Sequence, residues 1–180
     1  MHLKPFIQMW DPGPLKPVQR LYSQAYTSDR MLALEKEVMR SVPDNCEYEV
    51  VVVAIMHHSD STNLTHFGTA SLWPGYKTYG NMSKYLQLNL SQFTVNHVVY
   101  VPKFPDSFCA EYERLVDETA TTEVLRYCKR ELIHLVWGLL LNNPKFVDAY
   151  LNVTLERCAD GIMRLLFPRL FPHSADYVEK

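Results

Sequence analysis

The sequence predicts an α/β fold: a mixed sheet with a central buried strand and a long helix after the third strand. Three observations carry this. "EVVVVAIMHHS" (49–59) is an almost unbroken run of apolar, largely β-branched residues, the pattern of a strand covered on both faces. "EVLRYCKRELIHLVWGLLL" (123–141) repeats apolar residues at helical spacing over about five turns. Between and around these two lie shorter strand-like segments separated by prolines, glycines and asparagines.

Each element can be justified in order. Residues 1–17 hold four prolines and little periodicity, and read as an extended arm. "TSDRMLALEKEVMRSVP" (27–43) reads as a helix. Ser28 or Asp29 can cap it, Leu32, Leu34 and Val38 supply an apolar side, and Pro43 stops it. After the central strand, the aromatic, glycine-broken stretch 66–81 fits one or two short strands, and "NHVVYVPKFP" (96–105) another, closed by its prolines. The long helix begins at a Thr121 or Thr122 cap, carries Val124, Leu125, Cys128, Leu132, Leu135, Val136 and Leu139, and ends at "NNP" (142–144). A short helix over 145–151 comes next. Asp160-Gly161 then separates two strand-like arms of a hairpin (153–168), and "RLFPHSADYVEK" (169–180) supplies a last strand.

Bulk properties narrow the function. At 180 residues the chain can build one domain with a real core, with or without an arm. A net charge of -2 gives no general basic surface, so any contact with nucleic acid must come from local clusters. Cys46, Cys109, Cys128 and Cys158 form no C-x-x-C knuckle and point to a reducing compartment. No apolar segment resembling a secretory signal opens the chain, so a nuclear or cytoplasmic location is expected, and the sequons at Asn63, Asn81, Asn89 and Asn152 read as chance matches. The longest apolar stretch, 132–141, is too short to span a bilayer, and no membrane partner is expected.

Asp60 is the acid that comes after the buried strand. Ligands in α/β sheets gather beyond the carboxyl ends of strands, which favours a catalytic or metal-binding role. Asp in "SDST" also suits a turn or a cap, and that reading stays open beside the first. His57, His58 and His66 could ligate a metal, but adjacent residues of a strand face opposite ways, so only His58 shares a face with Asp60. Asp176 stands in "SADY" at the end of the last apolar segment, where an exposed terminal acid is the simpler reading. Asp160 is accounted for by its turn. Arg126, Lys129 and Arg130 share one side of the long helix, either as its solvated face or as a phosphate-contacting patch. No G-x-S-x-G, Walker or dinucleotide motif is present.

Several ordered blocks resemble one family. "SDSTNLTHFGTASLWPGYKTYGNMSKY" (59–85) resembles the block around the first catalytic aspartate of fungal Plavaka-type transposases, which belong to the CACTA/EnSpm-like cut-and-paste group. "EVLRYCKRELIHLVWGLLL" (123–141) is similar to the helix that comes after it there. "CADGIMRLLFPRLFPHSADYVEK" (158–180) resembles the next block, with Ala159 where Gly is usual and Val178 where Pro is usual. "RLYSQAYTSDRMLALEKEV" (20–38) fits the segment upstream. The resemblance implies a partial RNase H-like core over 18–180 with a D-D-E/D site. Asp60 would be the first catalytic acid and Asp176 the second, both ligating Mg²⁺ or Mn²⁺, with the DNA of transposon ends as partner.

In that family the chain runs on into a Cys-rich stretch and a third acid, so the resemblance implies a truncated core, weak or inactive as a nuclease. It also implies self-association, or pairing with a full-length transposase. The alternative is a non-catalytic module that binds DNA or transposase, and whether the chain is an enzyme stays open between the two.

Overall fold

The computed structural model describes residues 1–60, 62–63 and 71–174. Two short strands come first: β1 (Gln8–Trp10) pairs antiparallel with β2 (Gln19–Leu21), so the proline-rich start is folded back as a ribbon. It is also tied to the body of the molecule, because the His2 amide donates to the Asn81 carbonyl and the Asn81 side-chain amide donates to the His2 carbonyl.

Helix α1 (Asp29–Ser41) starts where the cap predicts. Ser28 has extended backbone angles, and its hydroxyl accepts from the Met31 amide, satisfying one donor that the first turn leaves without a helical partner. Met31, Leu34 and Val38 are the buried side of α1, while Leu32 lies at its margin.

The central strand β3 (Glu49–Ser59) is succeeded by a two-residue ladder, β4 (Thr62–Asn63) with β5 (Ser71–Leu72), and then by β6 (Pro74–Tyr79). A short helix α2 (Lys84–Gln87) leads to β7 (Asn96–Tyr100). Three helices come next: α3 (Phe108–Val116), α4 (Thr122–Leu141) and α5 (Pro144–Asn152). The chain returns to the sheet as β8 (Thr154–Arg157) and β9 (Met163–Ser174).

The main sheet has the order β7-β6-β3-β9-β8. Its centre is a parallel pair, β3 with β9, and every other neighbouring pair is antiparallel. The mixed sheet with β3 in the middle is as expected, and so is the long helix after β7. Helices cover both faces. On one, α1 packs Met31, Leu34 and Val38 against Val52, Ala54 and Phe167. On the other, α4 sets Ile133 and Val136 against Val101, with Trp73, Val99 and Trp137 beside them. The alternation of a strand thus divides β3: even positions meet α1, and odd positions such as Val51 and Ile55 are buried on the α4 side. This is why the run 50–55 is apolar throughout.

Asn81 closes the sheet where β6 ends. Fully buried, its side chain accepts from the Ala54 amide and donates to the Val52 carbonyl, standing in for a strand backbone along β3.

Four differences from the sequence reading have physical causes. Leu135 and Leu139 are 66% and 82% exposed rather than part of the packed stripe of α4. At 100° per residue Leu135 lies about 200° around the helix from Ile133, and the sheet takes only the side carrying Ile133, Val136 and Trp137. Helix α3 has no counterpart among the expected elements; it buries none of its residues and its Ser107 cap makes no side-chain bond, so the usual signals are missing. The hairpin turn spans Cys158–Ile162 rather than two residues, closed by bonds from the Cys158 amide to the Ile162 carbonyl and from the Gly161 amide to the Cys158 carbonyl, with Gly161 at φ +82°.

Finally, the second hairpin arm and the last strand are one strand, β9, which runs through Pro168 and Pro172. At Pro168, which lies level with Val53 and beyond the β8 pairing, the backbone carbonyl accepts from the Arg169 side chain. The missing amide therefore breaks no bond to β8.

Candidate functional site

The site of interest is the carboxyl end of the β3–β9 pair. Because the two strands are parallel, both deliver their ends to the same rim of the sheet. Burial falls along β3 towards that rim. Ile55 is buried, Met56, His57 and His58 are half-buried, Ser59 is buried, and Asp60 just beyond the strand is exposed. A carboxylate that leaves a rigid central strand and faces solvent is oriented by its backbone yet open to a ligand.

The histidines do not join it as a ligand cluster. His57 points to the α4 face and meets Trp137 edge-on at 5.1 Å between ring centroids; His58 points the other way and stacks on Tyr76 at 5.0 Å. The expected opposition of adjacent strand residues is met. His66 lies outside the described residues, and so does Asp176. Among the described residues, no group of three or more His, Cys, Asp or Glu side chains is gathered as for a metal ion.

A bulge sits at this end of the parallel pair. Ile55 pairs with Leu170, but His57 pairs with His173, so β9 spends one residue more than β3 over this interval. Among the described residues the last pair is His58 with Ser174. Asp60 stands two positions after His58, and Asp176 two positions after Ser174. Bulges recur beside active sites because they re-aim the side chains beyond them.

A second bulge lies on the neighbouring strands. Gly75 pairs with Val99 and Tyr76 with His97, leaving Val98 as the extra residue. Gly75 pairs with Ser59 on its other side. A Cβ at Gly75 would stand 2.7 Å from Val99 Cγ1, so glycine is what lets β7 approach here. The same bulge puts Tyr76, His97 and Tyr100 on one face, next to His58. None of these three stands out in the sequence, because a bulge breaks the two-residue period by which face-sharing is read.

The basic trio is elsewhere. Arg126, Lys129 and Arg130 are exposed on the amino-terminal half of α4. The α4 residue that reaches the end of β3 is Trp137, seven to eleven positions further on, roughly 10–16 Å along the helix at 1.5 Å per residue.

At the opposite end of the parallel pair is an ion cluster. Arg164, 4% exposed, donates to Glu49 at 2.6 Å and forks onto both oxygens of Asp160 at 2.7 Å. The guanidinium bond, joined by one from the Ile162 amide, lowers the Asp160 carboxyl from 3.8 to about 2. Asp160, Cys158 and Glu49 together hold Arg164 charged. Asp160 therefore does more than turn the chain: it anchors the first pairs of β9 with β3.

A family model, Plavaka transposase, matches residues 1–180, the whole chain. The chain belongs to the Plavaka transposase family. The match begins at residue 1, so it takes in the β1–β2 ribbon as well as the blocks from residue 20 onward. No curated protein and no solved structure matches the chain. Among the described residues, no helix is long and apolar enough to cross a membrane.

Proposed function

We propose that this chain carries the catalytic-core part of a cut-and-paste DNA transposase, with Asp60 and Asp176 as metal-ligating acids for phosphodiester cleavage and strand transfer. The proposed fold is RNase H-like. In support, the central strand has antiparallel β6 on one side and parallel β9 on the other, and the helices between β7 and the β8–β9 hairpin provide the crossover.

The single observation that carries the reading is the count at the carboxyl ends. The bulge in β9 brings Ser174 level with His58, and in the sequence Asp60 and Asp176 each come two residues after their member of that pair. An exposed Asp carboxylate is a hard oxygen donor, which suits Mg²⁺ or Mn²⁺, whereas His57 and His58 are engaged with aromatic rings. Divalent ions held by Asp60 and Asp176 would supply Lewis-acid stabilisation to the oxygens of a phosphodiester. The chain's own part is positional: β3, held between β6 and β9, fixes the backbone at Asp60, and the buried Ser59 limits its swing.

The test is Mn²⁺ binding by titration calorimetry, with nicking of supercoiled DNA as a second readout. Wild-type protein is expected to bind Mn²⁺, and Asp60→Ala and Asp176→Ala each to abolish binding. A wild-type protein that binds no Mn²⁺ overturns the catalytic reading. Salt-dependent retention of DNA on filters by such a protein would favour the non-catalytic module instead.

A further inference from the structure

Four ring side chains run in series across the sheet on the α1 side, from β3 to the β7 edge. His58 stacks on Tyr76 with centroids 5.0 Å apart and planes at 21°. Tyr76 meets His97 edge-on at 5.7 Å, and His97 lies 3.9 Å from Tyr100. The Val98 bulge creates this series, since without it His97 and Tyr100 would face opposite sides.

The α1 core on this face consists of Met31, Leu34, Val38, Val52, Ala54 and Phe167, and contains none of the four rings. Exposure rises along the series: His58 and Tyr76 are half-buried, His97 is exposed, and Tyr100 is 53% exposed. Asp60 comes two residues after His58, just beyond the end of β3, so the acid leaves the sheet at the rim to which the rings lead.

We infer that His58, Tyr76, His97 and Tyr100 form a stacking platform for unpaired bases of a DNA strand whose backbone reaches Asp60. Every base has a π-face, so a row of aromatic and imidazole rings accepts single strands with little regard to sequence. His97, exposed on β7, adds what an aliphatic patch lacks, since an imidazole N–H can donate to a phosphate or base edge. A frayed strand end is the form of DNA that offers both an unstacked base and an accessible phosphodiester. The inference rests on the proposed phosphodiester chemistry for its orientation, but stacking on the platform needs no metal and no cleavage.

The experiment uses the full 180-residue chain, without divalent metal, and single-stranded oligonucleotides carrying 2-aminopurine near one end. Wild type is expected to bind and to change the 2-aminopurine fluorescence by stacking. Tyr100→Phe keeps both effects, while Tyr100→Ala raises Kd about fivefold to a hundredfold and loses the fluorescence change. An abasic site at the probe position weakens binding in the wild type and has no further effect in Tyr100→Ala.

Tyr100 is exposed on an edge strand, and an unchanged melting curve verifies that the Ala variant folds; His97→Ala serves as a second variant with the same expected loss. Stacking that survives where Mn²⁺ binding is absent leaves the platform standing and defeats only the catalytic reading. No binding by wild type, equal binding of abasic strands, or unchanged Kd in both Tyr100→Ala and His97→Ala overturns the platform.

Discussion

The two ends of the β3–β9 pair are built from similar residues for opposite purposes. At the amino end of β3, Glu49 and Asp160 are acids with a shared cation, Arg164, whose guanidinium is almost wholly buried between them. At the carboxyl end, Asp60 is exposed, and the histidines just before it make ring contacts, His57 with Trp137 and His58 with Tyr76. An acid held by a bidentate guanidinium has fewer lone pairs, and a compensated charge, to offer a ligand. An acid offered to solvent at the end of a rigid strand keeps both. Partners, rather than the presence of an aspartate beside the sheet, separate an anchor from a candidate site.

The comparison breaks most directly if the closed half is not the stable half. Phe167, 4% exposed, pairs with Val52 beneath α1. Phe167→Ala should cost about 3–5 kcal/mol of unfolding free energy in urea, through lost transfer energy and the cavity left behind. A loss near zero would mean that α1 does not close this face. Next in size is Asn81→Ala. It leaves the Ala54 amide and the Val52 carbonyl without their side-chain partner, at about 1–3 kcal/mol for each buried group stranded. The same measurement, with hydrogen exchange at Ala54, reads the effect locally.

A smaller effect sharpens the electrostatic side of the contrast. Asp160 titrates at about 2 in the folded protein against an ordinary 3.8, so the folded state favours its charged form. That contribution is fully present above about pH 4 and is lost as the pH falls towards 2. In Asp160→Asn the drop in melting temperature over this interval should be shallower than in wild type. Equal slopes would show that the fork to Arg164 contributes nothing measurable. The smallest effect belongs to the open end: Asp60→Asn should shift unfolding free energy by no more than about 0.5 kcal/mol, because the side chain is exposed. A large loss there would make Asp60 a structural residue.

Much of this architecture was legible because the signals are local. The Ser28 and Thr121 caps, the helical spacing of α4, the apolar run of β3 and the Asp160-Gly161 turn each act within a few residues. The side of α4 that packs was only half legible, since Leu135 and Leu139 are as apolar as Ile133 and Val136, and only the sheet's position chooses among them. The candidate acid Asp60 could be named from its place after a buried strand. Its surroundings could not, because His97 and Tyr100 come onto the face of His58 through a bulge that has no signature in "NHVVY".

The sequence by itself determined the order of the principal elements (α1, β3, β7, α4 and the β8–β9 hairpin), the central position of an apolar strand, the opposed directions of His57 and His58, and membership of a transposase family. These arise from periodicity, capping and ordered blocks, all of which act along the chain. Only the tertiary structure decided which strand lies parallel to β3, where β9 takes its extra residue, and which acid is anchored and which is open. The strand partner and the register depend on pairings between residues more than 100 positions apart, Ile55 with Leu170 among them, and Arg164, itself four residues from Asp160, completes its cluster by reaching Glu49 across 115 positions. No local pattern encodes such a register, because it is set by how whole faces bury against one another.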